Sequence, residues 1–129
     1  MNLSQQVVSL DLAKRMKELG APQESLFYWY FHSGNGDGLK TWFYIPRSMW
    51  SIVQGRDGNF DNSYISAYAA AELGEMLPEG YWTVKRDNKW WGFEGETENE
   101  GQEDSLSCAD IESNARAKMW IYLKENNLL

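Results

Sequence analysis

The stretch "FYWYFHSGNGDGLKTWFYI", residues 27 to 45, sets eight aromatic rings around a loop that holds three glycines. Two runs rich in aromatic and β-branched residues, separated by Gly, Asn and Asp, predict a β-hairpin. "SMWSIV", 48–53, adds a short further strand, and "GRDGNFDN" is turn chemistry. In a strand, successive side chains point to opposite faces. One face of this hairpin then carries Phe27, Trp29, Phe31, Phe43 and Ile45, and is assigned to the core. The other carries Tyr28, Tyr30, Trp42 and Tyr44.

"YWTVKRDNKWWGFEG", 81–95, predicts a second hairpin turning near Asp87-Asn88. It sorts the same way. Trp82, Val84, Trp91 and Phe93 form an apolar set, and Tyr81, Thr83, Lys85, Trp90 and Glu94 form the other. The second faces are aromatic with mostly polar tips. Each ring there buries about 150–250 Å² when covered, so something must cover them. A helix, a second copy of the chain, or a ligand or protein partner each satisfies that demand. Tyr28, Tyr30, Trp42, Tyr44, Tyr81 and Trp90 are the candidate interaction face, because such rings are enriched at interfaces.

Three helices flank the hairpins. Leu3, Val7, Leu10, Leu12, Met16 and Leu19 recur at helical spacing over about 4–19, with Gly20 as the stop and Pro22 beyond it. "SYISAYAAAELGEML" predicts a second helix capped by Asp61 or Ser63. Ile65, Ala69, Leu73 and Met76 mark its buried face, and Glu72 and Glu75 point outward. Gly74 costs about 1 kcal/mol against Ala inside a helix, which points to close packing there. Ser107, with Asp110 three residues on, predicts the cap of a last helix. Cys108, Ile111, Ala115, Met119 and Tyr122 form its buried face. The fold expected is α+β, in the order α-β-β-α-β-β-α: an antiparallel sheet of two β-hairpins, four to five strands, packed with three helices in a single domain spanning 1–129.

Composition narrows function. The chain has 129 residues, a net charge of −7 and one cysteine, Cys108. An acidic surface repels phosphate backbones and argues against general nucleic-acid binding. One cysteine forms no intramolecular disulfide, and with no secretory leader pattern and no apolar run of membrane length the expected location is the cytoplasm.

Chemical motifs are sparse. "GNGDGLKT", 34–41, approaches a phosphate loop, but Leu39 replaces the second glycine and a strand follows where a helix is needed. Asp57, Asn59, Asp61 and Ser63 alternate like the start of a calcium loop, yet Asn62 and Tyr68 stand where its glycine and bidentate glutamate belong. His32 and Cys108 would have to meet in space to form a catalytic pair. No metal or cofactor is therefore expected, and no catalytic residue is assigned. The acidic run Glu94, Glu96, Glu98, Glu100, Glu103 and Asp104 reads as a solvated loop, with mimicry of nucleic-acid charge as its sharper alternative. Lys85, Arg86, Lys89, Trp90 and Trp91 interleave charge with rings, as single-strand binders do, on a short patch.

Three segments, "KELGAPQESLFYW" (17–29), "AAAELGEMLPEGYW" (69–82) and "NARAKMWIYLKENNLL" (114–129), resemble a family of small uncharacterised proteins encoded by bacteriophages, prophages and bacteria. The resemblance covers about a third of the chain, in helix and strand pieces. It implies a phage-type accessory protein and assigns no catalytic or binding residue. The functional expectation is a non-enzymatic interaction module that binds a protein partner or itself. The alternative is a protein that stacks a small planar, nucleotide-like ligand on an aromatic sheet face, with Lys85 supplying charge.

Overall fold

A computed structural model describes residues 3–31, 50–54, 64–95 and 105–129, and of Trp50 the backbone alone. Nine elements beyond an opening 3₁₀ turn, Leu3–Gln5, follow in the order α1 (Leu10–Glu18), β1 (Phe27–Phe31), β2 (Trp50–Gln54), β3 (Tyr64–Ser66), α2 (Ala70–Met76), β4 (Tyr81–Arg86), β5 (Lys89–Glu94), β6 (Ser107–Ala109) and α3 (Glu112–Glu125). The class is α+β with three helices, as expected. The strands divide into two antiparallel three-stranded sheets, ordered β2-β1-β3 and β4-β5-β6, in place of one sheet of two hairpins.

The second hairpin forms where its turn chemistry puts it. Asp87 and Asn88 both take positive φ, 54° and 62°. That geometry matches a two-residue turn whose twist suits the flanking strands. Trp82 pairs with Phe93 and Val84 with Trp91, so the apolar set shares one face. The Trp82 and Phe93 rings stack at 4.9 Å.

The first hairpin is a correction. Tyr28, Tyr30 and the rest of β1 pair with β2 on one side, and Tyr28–Tyr30 pair with β3 on the other. Both edges of β1 are taken by β2 and β3, and the strand expected at 41–45 lies outside the described residues. Expected core and second face also exchange members. Tyr28 is only 4 % exposed, and Phe31 is buried, whereas Phe27 and Trp29 are half-buried. The reason is that the segment before β1 folds back over Tyr28. The Tyr28 hydroxyl accepts from Ser25 N at 3.0 Å and donates to Gln23 O at 3.4 Å.

Each helix starts later than its apolar spacing suggests. Val7 bridges Ala69 and Val8 N–H donates to Tyr68 O at 2.9 Å, so these β-branched residues are drawn into extended chain. The α1 helix then begins after Ser9, whose backbone N–H donates to Asn114 Oδ1 at 2.8 Å. Its stop is as expected. Gly20 takes φ 91°, and Gly20 N and Ala21 N close onto Lys17 O and Met16 O, a Schellman ending that favours glycine at that position.

The α2 span is shortened by β3, and the expected caps Asp61 and Ser63 lie outside the described residues. Glu72 is not turned outward. Its carboxylate accepts from Ala69 N at 3.0 Å and Leu26 N at 3.2 Å, holding the start of α2 to the start of β1. Ser107 does not cap α3. It belongs to β6, and its hydroxyl donates to Ala115 O at 2.8 Å. The helix opens at Ile111, which offers no side-chain acceptor.

The core lies among the three helices and β3. Leu10, Ala13 and Met16 of α1, Ile65, Leu73, and Ala117, Met119, Trp120, Ile121 and Leu123 of α3 form one buried cluster. Enclosure on several sides explains why α3 buries seven residues that follow no single stripe, while Tyr122, expected inside, is 42 % exposed. No helix among the described residues is long and apolar enough to cross a membrane.

One buried phenol gives a pH-dependent prediction. Tyr68 and Ser66 place their hydroxyls beside one another, and neither completes a hydrogen bond among the described residues. Burial pushes the Tyr68 phenol up to about 12 from 10.0, with the Ser66 hydroxyl pulling weakly the other way. A raised folded-state pKa means that the stability tied to the neutral phenol is fully present below pH 10.0 and is lost as pH rises toward about 12. Tyr68→Phe should match or slightly exceed wild-type stability at neutral pH, because an unpartnered hydroxyl leaves. Between those two pH values wild type should lose about 2 kcal/mol relative to the variant. Urea denaturation of both proteins on each side of that interval checks it, and parallel pH curves would refute it.

Candidate functional site

The β4-β5 hairpin, the opening of α3 and the N-terminal turn enclose a pocket of about 400 Å³. Its lining includes Gln5, Gln6, Ala70, Lys85, Trp90, Asp110, Glu112 and Ser113. A volume of this order suits a small organic ligand.

The local sequence makes this concavity. The tight turn at Asp87-Asn88 sets Lys85 directly across from Trp90. Trp90 also pairs with Ala109 of β6, so the chain leaving β6 must pass over the hairpin before α3 starts. Farther from the hairpin tip, α3 presses onto the same sheet face. A Cβ on Gly92 would meet the Met119 sulfur at 2.5 Å. Gly92 therefore lets the helix descend to the sheet, while the bulk of Trp90 keeps the tip open.

An ionic network fixes the pocket wall. Arg116 donates through Nη1 to Ala70 O at 2.6 Å, through Nη2 to Glu112 Oε2 at 3.1 Å and through Nε to Thr83 Oγ1 at 3.3 Å. The Thr83 hydroxyl itself donates to Glu112 Oε2 at 2.9 Å. One guanidinium thus ties α2, α3 and β4 together. The Glu112 carboxylate is engaged by a cation and a hydroxyl. That arrangement makes Glu112 a structural partner of Arg116 and Thr83.

Hydrogen-bond donors face the pocket without acceptors. Trp29, Trp82 and Trp91 donate their indole N–H groups to the carbonyls of Val8, Gly95 and Arg86. The Trp90 indole N–H and the Lys85 ammonium have no such partner among the described residues.

Of the six expected interaction residues, the four that lie among the described residues divide between the two sheets. Tyr28 and Tyr30 belong to the first sheet, around Tyr64, with ring centroids at 6.0 and 4.8 Å. Tyr81 and Trp90 belong to the second sheet. Trp42 and Tyr44 lie outside the described residues. On the second sheet the helix α3 covers the polar-tipped face, one of the three coverings that the sequence allows. Tyr81 packs at the margin of the core, and burial, followed by Glu94 across the strand pair, raises its phenol pKa. Lys85 and Trp90 alone of the sequence-derived candidates line the pocket. Gln5, Gln6 and Ser113 carried no signal, because they are brought there by the course of the N-terminal turn and by the late start of α3. His32 lies outside the described residues, so its distance from Cys108 is not defined. Among the described residues no three His, Cys, Asp or Glu side chains gather as metal ligands.

Fold and site together define a small α+β domain with an open, mixed polar and aromatic pocket at a hairpin tip. No family model, no curated protein and no solved structure matches the chain.

Proposed function

We propose that this protein is a binding module that takes a small planar ligand in the pocket at the β4-β5 tip. The observation that carries this reading is the convergence of Trp90 and Lys85, a ring and an ammonium with no acceptor among the described residues, directly opposite one another in a cavity of about 400 Å³. A planar heterocycle of nucleotide size stacks on such an indole, and its polar edge meets Gln5 and Gln6. Binding without turnover is the role that fits a pocket in which the half-buried carboxylate of Glu112 is held by Arg116. No cofactor is invoked.

Isothermal titration with nucleosides and their 5′-monophosphates tests the proposal. At least one should bind saturably, and Trp90→Ala should weaken it about tenfold or more while the far-ultraviolet spectrum stays unchanged. That magnitude follows from the 1–3 kcal/mol typical of base stacking on an aromatic side chain. Binding that is indifferent to Trp90→Ala would remove the pocket from consideration.

A second reading, association with a protein partner or another copy, is favoured by exposed apolar side chains. Leu26 is 60 % exposed, and Tyr122, Leu128 and Leu129 are exposed at the C-terminal end of α3. Sedimentation at rising concentration should then show a mass increase that Tyr122→Ser abolishes, and a constant monomer mass would exclude self-association. The phage-type accessory role implied by the resemblance is part of this proposal and fits either reading.

A further inference from the structure

We infer that the ligand carries an anionic group, a carboxylate or a phosphate, which docks at the N-terminus of α3 while its ring lies on Trp90. This inference rests on the pocket being a ligand site and adds the chemistry of what enters it. The first-turn amides of a helix have no partner within the helix, and their aligned dipoles favour negative charge. In α3, fourteen residues long, the cap Ile111 supplies no side-chain acceptor. The first amide of this helix to find an acceptor is Ala115 N–H, on Ile111 O, so those of Glu112, Ser113 and Asn114 have none among the described residues. Asn114 does not cap the helix from its own side chain either, since its Oδ1 takes Ser9 N–H.

An independent feature points the same way. Ser113 lines the pocket, is 2 % exposed, and its hydroxyl has no partner among the described residues. A buried hydroxyl without a partner is costly unless something completes it. Lys85 and the Trp90 N–H add two more donors from the opposite wall. Of the two carboxylates in the lining, Glu112 is engaged through Oε2 by Arg116 and Thr83, which leaves the exposed Asp110 at the rim. The pocket therefore offers donors in excess, and the group that satisfies them is an anionic oxygen. Asp110 opposes that charge and limits affinity.

The test compares ligands that differ only in charge: nicotinamide with nicotinate, each nucleoside with its 5′-monophosphate, and inorganic phosphate alone. In titrations of the full chain, the charged member of at least one pair should bind about tenfold tighter, the typical worth of a charge-assisted hydrogen bond. Lys85→Met should erase that margin and Asp110→Asn should widen it. The amide proton resonances of Glu112, Ser113 and Asn114 should move downfield on binding. Preference for nicotinate identifies a carboxylate seat, and preference for monophosphates or saturable binding of phosphate identifies a phosphate seat. Equal binding of neutral and charged members, lost in Trp90→Ala, would overturn the anion inference and leave the planar-ligand reading standing. No binding by any probe would overturn both.

Discussion

Replacing Gly92 by Ala should destabilise the protein by about 2 to 3 kcal/mol, at the upper end of what overpacking a core costs. The added Cβ would meet the Ser107 hydroxyl, the Met119 Sδ at 2.5 Å and its Cε at 2.9 Å. None of these can yield cheaply. Met119 is fully buried in the core cluster, and Ser107 is committed to Ala115 O. Helix α3 would have to lift from the sheet, and β6 would move with it. The denaturant midpoint measures the loss. The cause is checked by Gly92→Ala with Met119→Ala, which should cost clearly less than the sum of the two single changes, because the second makes room for the first. Strict additivity would mean that helix and sheet do not meet at Gly92.

The Gly74→Ala change should reverse sign with its partner. Gly74 is exposed in α2, where Ala ordinarily gains about 1 kcal/mol. Here the new Cβ would meet Arg116 Nη1 at 2.6 Å, beside the bond from that nitrogen to Ala70 O. The guanidinium is tethered on three sides, so displacing it forfeits hydrogen bonds to Ala70, Glu112 and Thr83. Gly74→Ala should therefore destabilise wild type by about 1 to 2 kcal/mol. In an Arg116→Met background the same change should stabilise by about 1 kcal/mol. A stabilising effect in both backgrounds would show that Arg116 does not constrain Gly74. Loss of the network should also release Glu112 into the pocket and weaken any anionic ligand.

The parts of the fold that were legible in the sequence are those with local causes. The β4-β5 hairpin follows from Asp87-Asn88 between two alternating runs, and the grouping of its residues into two faces survives because a two-residue turn fixes register, but α3 packs on the polar-tipped face and not on the apolar face assigned to the core. Gly20 ends α1 because a left-handed residue is needed where Gly20 N and Ala21 N turn back onto Lys17 O and Met16 O. Gly74 was marked as a site of close packing by its cost in a helix, although its neighbour, Arg116, is forty-two residues away in sequence.

Errors arose where distant residues compete for the same backbone. Ile65, Ala69, Leu73 and Met76 have helical spacing, yet Tyr64–Ser66 is a strand because β1 offers it an edge. Ile65 is buried under either description, so periodicity could not distinguish them. Val7 and Val8 are helical by spacing and extended in fact, since Ala69 and Tyr68 bond to them across about sixty residues. Ser107 looks like a cap and instead joins β5 as part of β6. These are tertiary hydrogen bonds overriding local preference, which propensity does not register.

The pocket shows the same division. Its ring and its charge, Trp90 and Lys85, were determined by the sequence alone, because pairing across a two-residue turn makes them neighbours. Its other wall was decided by tertiary structure. Glu112 and Ser113 line the same pocket as Trp90 only because β6 pairs with β5 and carries the start of α3 to the hairpin. Local chemistry specifies turns and caps within a few residues. Which strand edge is filled, and which helix end is left open beside it, depends on contacts that only the folded chain can make.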